Sequence, residues 1–254
     1  MTPTSDHTAA VLTQLSHEPA GPDDMPDLVG QLQRLCRTAR RDLQGCGAGV
    51  SVVLQSGYQV AVAASDPASA LVEDLQFAMG EGPCLAAYAS RIPIQVPDLS
   101  EAALTTWPGY GPAAYDHGVR AVFAFPLQFG HARLGAFNVY RDEPGPLSAW
   151  ALSRGLAYAN VAMRTMLEAQ QCAGGTASLL AEGDDARFDV YRAQGMVMAK
   201  LGVGAAEALS RMRGCAYAND RRLQDMAGDI VGRRGAATMV FPDPDEDCFG
   251  VGAT

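Results

Sequence analysis

The sequence predicts an α+β domain, an antiparallel sheet flanked by helices, followed by an all-α bundle of three helices. Three observations carry that prediction. Strand-like and helix-like periods alternate between residues 25 and 172. The stretch CAGGTAS then breaks every period, and from Asp185 to Arg234 only helical periods occur. A chain of 254 residues is also long enough for two domains.

Residues 1–24 carry Pro, Gly, Thr and Asp without periodicity and read as a flexible N-terminus. From Met25 the period turns helical, with Leu28, Val29, Leu32, Leu35 and Cys36 at three- and four-residue steps, and Gly45 and Gly47 close the helix. GVSVVLQ and YQVAVAAS, separated by Ser56–Gly57, read as a hairpin. Residues 67–90 are helix and loop punctuated by Gly80, Gly82 and Pro83, and RIPIQVPDL is a short strand whose Pro93 suits a sheet edge. TTWPGYGPAAYDHG is turn-rich with some helix. VRAVFAFPLQF and ARLGAFNVYRD then form a second strand pair joined near Gly130.

LSAWALSRGLAYANVAMRTMLEAQQ returns to helix, with Leu152, Leu156, Ala159, Met163, Met166 and Leu167 along one side. Such a helix can pack on its own sheet or extend as a stalk between subunits, and its period is not a strict heptad. The expected organisation is therefore a domain with flanking helices over 25–172, a linker over 173–184, a bundle over 185–234 and an acidic tail over 235–254.

In the bundle, Asp184 or Asp185 can cap a first helix with Phe188, Tyr191, Gly195 and Met198 on one stripe. A second helix buries Ala208, Leu209, Met212 and Cys215 or Ala216. Asn219–Asp220 breaks it and caps a third, on which Leu223, Met226, Ala227, Ile230 and Val231 share a face. At about 50 residues such a bundle is marginal alone, so support from dimerisation or from the preceding domain is expected.

Charge separates the two halves. Residues 187–234 hold nine basic and five acidic side chains, a net +4 inside a chain of net −9. A basic segment in an acidic protein suits a polyanion partner, and ordinary solvated helix faces account for it equally well. No apolar run approaches the roughly 20 residues that cross a bilayer, and the N-terminus lacks a basic stretch leading into an apolar one. No membrane association and a cytoplasmic location are expected. The six cysteines are scattered without a CxxC pair, which argues against a zinc site or a disulfide framework.

The stretch GEGPCLAAYASRIPIQVPDL, set in this order of helices and strands, resembles a GAF domain, a small-molecule-sensing fold. That resemblance implies a ligand pocket between the sheet and its side helices, with Phe77, Cys84, Tyr88, Trp107, Tyr110, Tyr115 and His117 as candidates. Each aromatic is more at home in a core than as a ligand contact. Cys84 follows a Gly-rich turn where a helix N-terminus could lower its pKa, the alternative being an inert buried thiol. No cofactor is expected. His117 and His131 lack neighbours at metal-ligand spacing, Cys84 is followed by Leu85 where a bilin attachment usually pairs Cys with His, and GEGP is too short for a phosphate loop.

The stretch YRAQGMVMAKLGVGAAEALSRMRGCAYANDRRLQDMAGDIV resembles an ANTAR domain, the RNA-binding module of bacterial transcription antiterminators. Ala193, Gly195, Met198, Ala208, Arg213, Ala216, Leu223, Met226–Ala227 and Ile230–Val231 match its pattern. Gln194 departs from a common lysine, Met212 from leucine, and Gly204 from a Ser or Thr cap. The resemblance implies a homodimer binding paired hairpins in leader RNA. Small residues (Ala193, Gly195, Ala216) would allow close approach, and Gln194, Lys200, Arg213, Arg221 and Arg222 would supply donors. Tyr217 and Asn219 would address a loop base.

A signal-responsive, non-enzymatic regulator with an unidentified small-molecule or redox effector is the expected function. The alternative is a GAF-type enzyme that reduces methionine sulfoxide through Cys84, for which no partner cysteines are grouped nearby. Kinase motifs and the acidic pair of a phosphoreceiver are absent from the sequence.

Overall fold

A computed structural model describes residues 3–19, 27–53, 59–173, 185–219 and 221–232, in two compact units that divide between Glu182 and Gly183. The first unit runs α1 (Pro3–His17), α2 (Leu28–Asp42), β1 (Gly47–Val53), β2 (Gln59–Ala64), α3 (Pro67–Met79), α4 (Pro83–Ser90), β3 (Ile94–Val96), α5 (Leu99–Thr106), α6 (Tyr110–Asp116), β4 (Ala121–Phe129), β5 (Ala132–Arg141) and α7 (Ala149–Ala173). The second holds α8 (Asp185–Leu201), α9 (Ala205–Ala218) and α10 (Leu223–Val231). The expected tail over 235–254 and all but Ala173 of the expected linker lie outside the described residues.

The sheet order is β2-β1-β5-β4-β3, and every pairing is antiparallel. β3 lies at an edge, as Pro93 requires. Alternation divides the side chains between two faces. Ala48, Val50 and Val52 of β1, Phe137 and Val139 of β5, and Phe123, Phe125 and Leu127 of β4 point to one face. There they join Leu32, Leu35 and Cys36 of α2 and Tyr158, Ala162, Met163 and Met166 of α7 in the main core. Gly155 of α7 sits directly over the Phe125 ring, where an added Cβ would overlap it. The other face is covered by the helices of the β2–β4 segment and holds a second core built from Val72, Val96, Leu99, Trp107, Tyr110, Val122 and Tyr140.

The N-terminal segment departs from expectation. It forms a helix rather than a flexible lead-in, because Val11 and Leu15 give it one apolar face that joins the main core, with Val11 fully buried. Arg154 of α7 fastens it there. Its guanidinium bonds Asp42 at the end of α2 (Nε–Oδ2 2.7 Å), donates to the His7 carbonyl (3.2 Å) and reaches the Gln14 side chain, while Tyr158 Oη also donates to Asp42 (3.1 Å). Helix α7 packs on its own sheet with Ala151, Ala157, Tyr158, Ala159, Val161, Ala162, Met163 and Met166 buried. The expected stripe was partly displaced, since Leu152, Leu156 and Leu167 are only half-buried against it.

Removing one partner of a buried ion pair strands the other and costs roughly 3–5 kcal/mol. The Arg154–Asp42 pair is nearly sealed from solvent (side chains 4% and 12% exposed). Arg154→Ala is therefore expected to destabilise the chain by about 3 kcal/mol in chemical denaturation and to make α1 the first segment cut in limited proteolysis.

Candidate functional site

The second face of the sheet is built around a carboxylate. Directly opposed residues of antiparallel strands share a face, and the register sets Gly47 against Tyr140, Gly49 against Asn138 and Ser51 against Ala136. The two glycines leave a trough on β1. Helix α3, capped by Asp66 accepting from the Ser69 amide (2.9 Å), lays Ser69 and Glu73 into that trough at four-residue spacing, with Gln76 three residues on against Gly82. A Cβ on Gly47 would overlap Ser69, and one on Gly49 would overlap Glu73.

Glu73 is fully buried. Its Oε2 accepts from Ser51 Oγ (2.5 Å), its Oε1 from Tyr140 Oη (2.7 Å), and both from Asn138 Nδ2 (2.9 Å). Gln59 of β2 donates to Ser51 Oγ (3.2 Å) and extends the network to the neighbouring strand. Gln76 Oε1 accepts the Cys84 amide at the start of α4 (2.8 Å). No basic side chain among the described residues pairs with Glu73. Burial accordingly raises its pKa, against the lowering by the Ser51, Tyr140 and Asn138 hydrogen bonds, and Asp74 raises it further.

Of the seven candidates for this pocket, four are interior. Cys84, Phe77, Trp107 and Tyr110 are buried, and Glu81 holds the last in place by accepting the Gly109 and Tyr110 amides (2.6 and 2.9 Å). The other three are not brought together with them. Tyr88 is half-buried under the Arg133 guanidinium, Tyr115 is exposed beneath Arg120, and His117 is exposed. For Cys84 the structure favours the inert buried thiol over the reactive one. Burial, then the nearby Glu73 charge, pushes its thiol well up, against the lowering by hydrogen bonds with Asn138, the Ala136 backbone and Ser51.

Ser51, Gln59, Glu73, Gln76, Asn138 and Tyr140 went unread in the sequence. The available signal was periodic: Asn138 lies between Phe137 and Val139, so it had to face the layer opposite theirs, and Ser69, Glu73 and Gln76 share one helical face.

In the bundle, the buried side of α8 is Val190, Ala193, Gln194 and Val197, not the expected stripe through Gly195. The side chain of Phe188 lies outside the described residues. Helices α9 and α10 bury Ala208, Leu209, Met212, Cys215 and Ala216, and Leu223, Met226, Ala227 and Ile230. Ala193, Gln194 and Ala216 are thereby removed from the surface contacts expected of them, since each is nearly or fully buried between helices. Gln194 Nε2 donates to the Ala205 carbonyl (2.6 Å) and ties α8 to the start of α9. Nor does Asn219 cap the third helix. It ends α9, donating to the Cys215 carbonyl (2.7 Å), and Arg222 occupies the position before α10 without a side-chain cap.

Exposed residues gather at the far end of α9. Tyr217 is 70% exposed, one helical turn beyond Arg213 and Gly214, and a Cβ on Gly214 would meet nothing. Arg221 and Arg222 follow within five residues, paired to Asp229 (2.7 Å) and Asp225 (3.0 Å). Lys200 and Gly195 are exposed on α8. Lys200 precedes the turn into α9, so the length of that helix, about 20 Å, separates it from Tyr217.

Residues 27–153 match the family model for the GAF domain, and residues 180–231 match that for the ANTAR domain. The chain belongs to the GAF family. Its C-terminal bundle is an ANTAR domain, an RNA antitermination module, and the combination is that of a transcription regulator with a sensory half. No curated protein matches the chain. The GAF domain of a phosphoenolpyruvate-protein phosphotransferase from Coxiella burnetii is 15% identical with a TM-score of 0.50, covering 68% of this chain and 99% of that one, which shows a shared fold. The corresponding Acinetobacter domain is 10% identical (TM-score 0.49, 68% and 99% covered). A free methionine-R-sulfoxide reductase from Neisseria meningitidis is 15% identical (TM-score 0.47, 68% and 95% covered).

Two outcomes are expected of the GAF interior. Cys84 should resist alkylation in the native protein at neutral pH and react only on unfolding, as mass spectrometry of iodoacetamide-treated samples would show. A raised folded pKa means protonated Glu73 stabilises the fold fully below the ordinary glutamate value of about 4.3. That contribution is lost as pH rises through the folded value. Glu73→Gln should flatten this limb of the stability–pH curve in denaturant titrations, and an unchanged curve would assign the dependence elsewhere.

Proposed function

We propose that this GAF–ANTAR protein is a signal-responsive antiterminator whose ANTAR bundle, as a homodimer, binds paired hairpins in nascent leader RNA. The GAF half controls it through a small-molecule effector. The observation that supports RNA as the partner most directly is the end of α9, where an exposed tyrosine stands beside an open glycine with Arg213, Arg221 and Arg222 close in sequence. Unpaired loop bases stack on aromatic rings, and phosphates take guanidinium donors.

The carboxylates now paired with Arg221 and Arg222 do not oppose this reading. Exposed ion pairs are worth about 0–1 kcal/mol, so exchange of an aspartate for a phosphate is cheap. Gly195 and Lys200 on α8 would form a second, separate contact. Two hairpins require two bundles, which is the reason for a homodimer, and no helix of the described residues is long and apolar enough to cross a membrane. Burial of Cys84 in the polar interior weighs against the reductase alternative and against a thiol-based signal.

Binding of the full chain to a two-hairpin RNA, a single hairpin and duplex DNA tests the proposal. The two-hairpin RNA should bind most tightly, with an affinity that falls steeply with salt. Tyr217→Ala should cost about 1–3 kcal/mol with the salt dependence unchanged. Arg221→Ala should lower the salt slope by roughly one. Equal affinity for all three nucleic acids, or none for RNA at low salt, would overturn it.

A further inference from the structure

We propose that the polar interior between β1, β5 and α3 is a binding site for an ammonium group, so that the effector of the GAF half is a primary amine or the ammonium ion. This rests on the reading of that half as a small-molecule sensor and names the chemistry of its ligand.

The inventory of hydrogen-bond groups carries the inference. An ionised carboxylate offers about four acceptor sites, and Glu73 fills them with four hydrogen bonds from Ser51, Asn138 and Tyr140, all of them neutral donors that leave its charge unbalanced. Two further acceptors in the same network, Asn138 Oδ1 and Gln59 Oε1, are buried without a partner, on residues 0% and 1% exposed. Both belong to side chains already fixed on the network through their nitrogens: Asn138 Nδ2 on Glu73, and Gln59 Nε2 on Ser51. Tyr110 Oη is likewise buried without a partner, on a residue that feels the Glu73 charge. Buried polar groups are almost always satisfied, so two orphaned acceptors in one network require an explanation.

What is missing is a set of N–H donors and one positive charge. The titratable groups that face Glu73 are Cys84 of α4, Tyr110 of α6 and Tyr140 of β5, with Asp74 behind it on α3. All are acidic. A neutral hydroxyl would supply one donor and leave the carboxylate uncompensated, and an anion would add to the repulsion. A metal ion fits less well, because magnesium or calcium takes six or more oxygens and the described residues hold no cluster of three or more His, Cys, Asp or Glu. An ammonium group carries three donors, no acceptor and a unit charge.

The test uses the full-length protein and ethylammonium, with ethanol and acetate as neutral and anionic counterparts of similar size. Ethylammonium should raise the melting temperature in a saturable way, and the other two should not. Glu73→Gln should weaken the interaction at least tenfold. Gln59→Met, which removes an orphaned acceptor and leaves the carboxylate, should weaken it several-fold and guards against a failure of the first variant to fold. Arg221→Ala should leave amine binding intact while RNA binding falls, so the sensor and the RNA site are judged independently. Stabilisation by ethanol equal to that by the amine, retention of the effect in folded Glu73→Gln, or no saturable response to ethylammonium would each overturn the proposal.

Discussion

The first unit depends on the seating of one helix, α3, in a trough that two glycines open on β1. Gly47 and Gly49 alternate with Ala48 and Val50, so a single strand presents an apolar row to α2 and α7 and a nearly featureless row to α3. Only that absence of side chains lets Ser69 and Glu73 reach the sheet backbone. An apolar helix face in the same place would have made the second face of the sheet a conventional core. Instead a carboxylate occupies its centre, and Ser51, Asn138 and Tyr140 are arranged to hold it.

The two faces therefore do different work. The face toward α2 and α7 is dry, aromatic and continuous, with Phe125, Phe137 and Tyr158 packed in sequence at centroid separations of 6.0 Å. It gives the unit its rigidity, and the Arg154–Asp42 pair extends it to α1. The face toward α3, α4 and α6 mixes aliphatic side chains with a polar network that is only partly satisfied. Burying an uncompensated charge is costly, so the proposed amine would contribute most in this half of the domain. A sensor needs that division, since a ligand shifts a conformation only by the difference in its affinity for two states.

The sequence disclosed elements whose periodicity is imposed by a single apolar face. The strand pairs, the helix at Leu28, Leu32 and Leu35, and the edge position of the strand after Pro93 all follow from local pattern. It did not disclose α1, whose apolar face is short and lies in a segment otherwise rich in polar residues and punctuated by Pro3. The Glu73 network was also hidden, because each member looks ordinary alone: a serine and an asparagine in strands, a glutamate in a helix. Their convergence depends on the strand register, which the sequence leaves open. Aromatic residues were a poor guide to the pocket for the converse reason. Tyr115 and Tyr88 resemble Tyr110 in sequence, but helix phase and a covering arginine place them outside the polar interior.

The bundle shows the same separation between a pattern and its physical meaning. Ala193, Ala208 and Ala216 identify the ANTAR domain, yet none reaches the surface, because small residues are what permit helices of 17, 14 and 9 residues to pack closely enough to form a core. They set the helix spacing, and so decide which residues remain outside. Gln194 fits this logic. At a position where the family commonly carries lysine, it lies inside the turn between α8 and α9 and donates to Ala205, a bond that a solvated lysine on the surface would not make. Its side chain thus spans that turn from inside, and the packing leaves other side chains to project from the bundle, Tyr217 foremost among them.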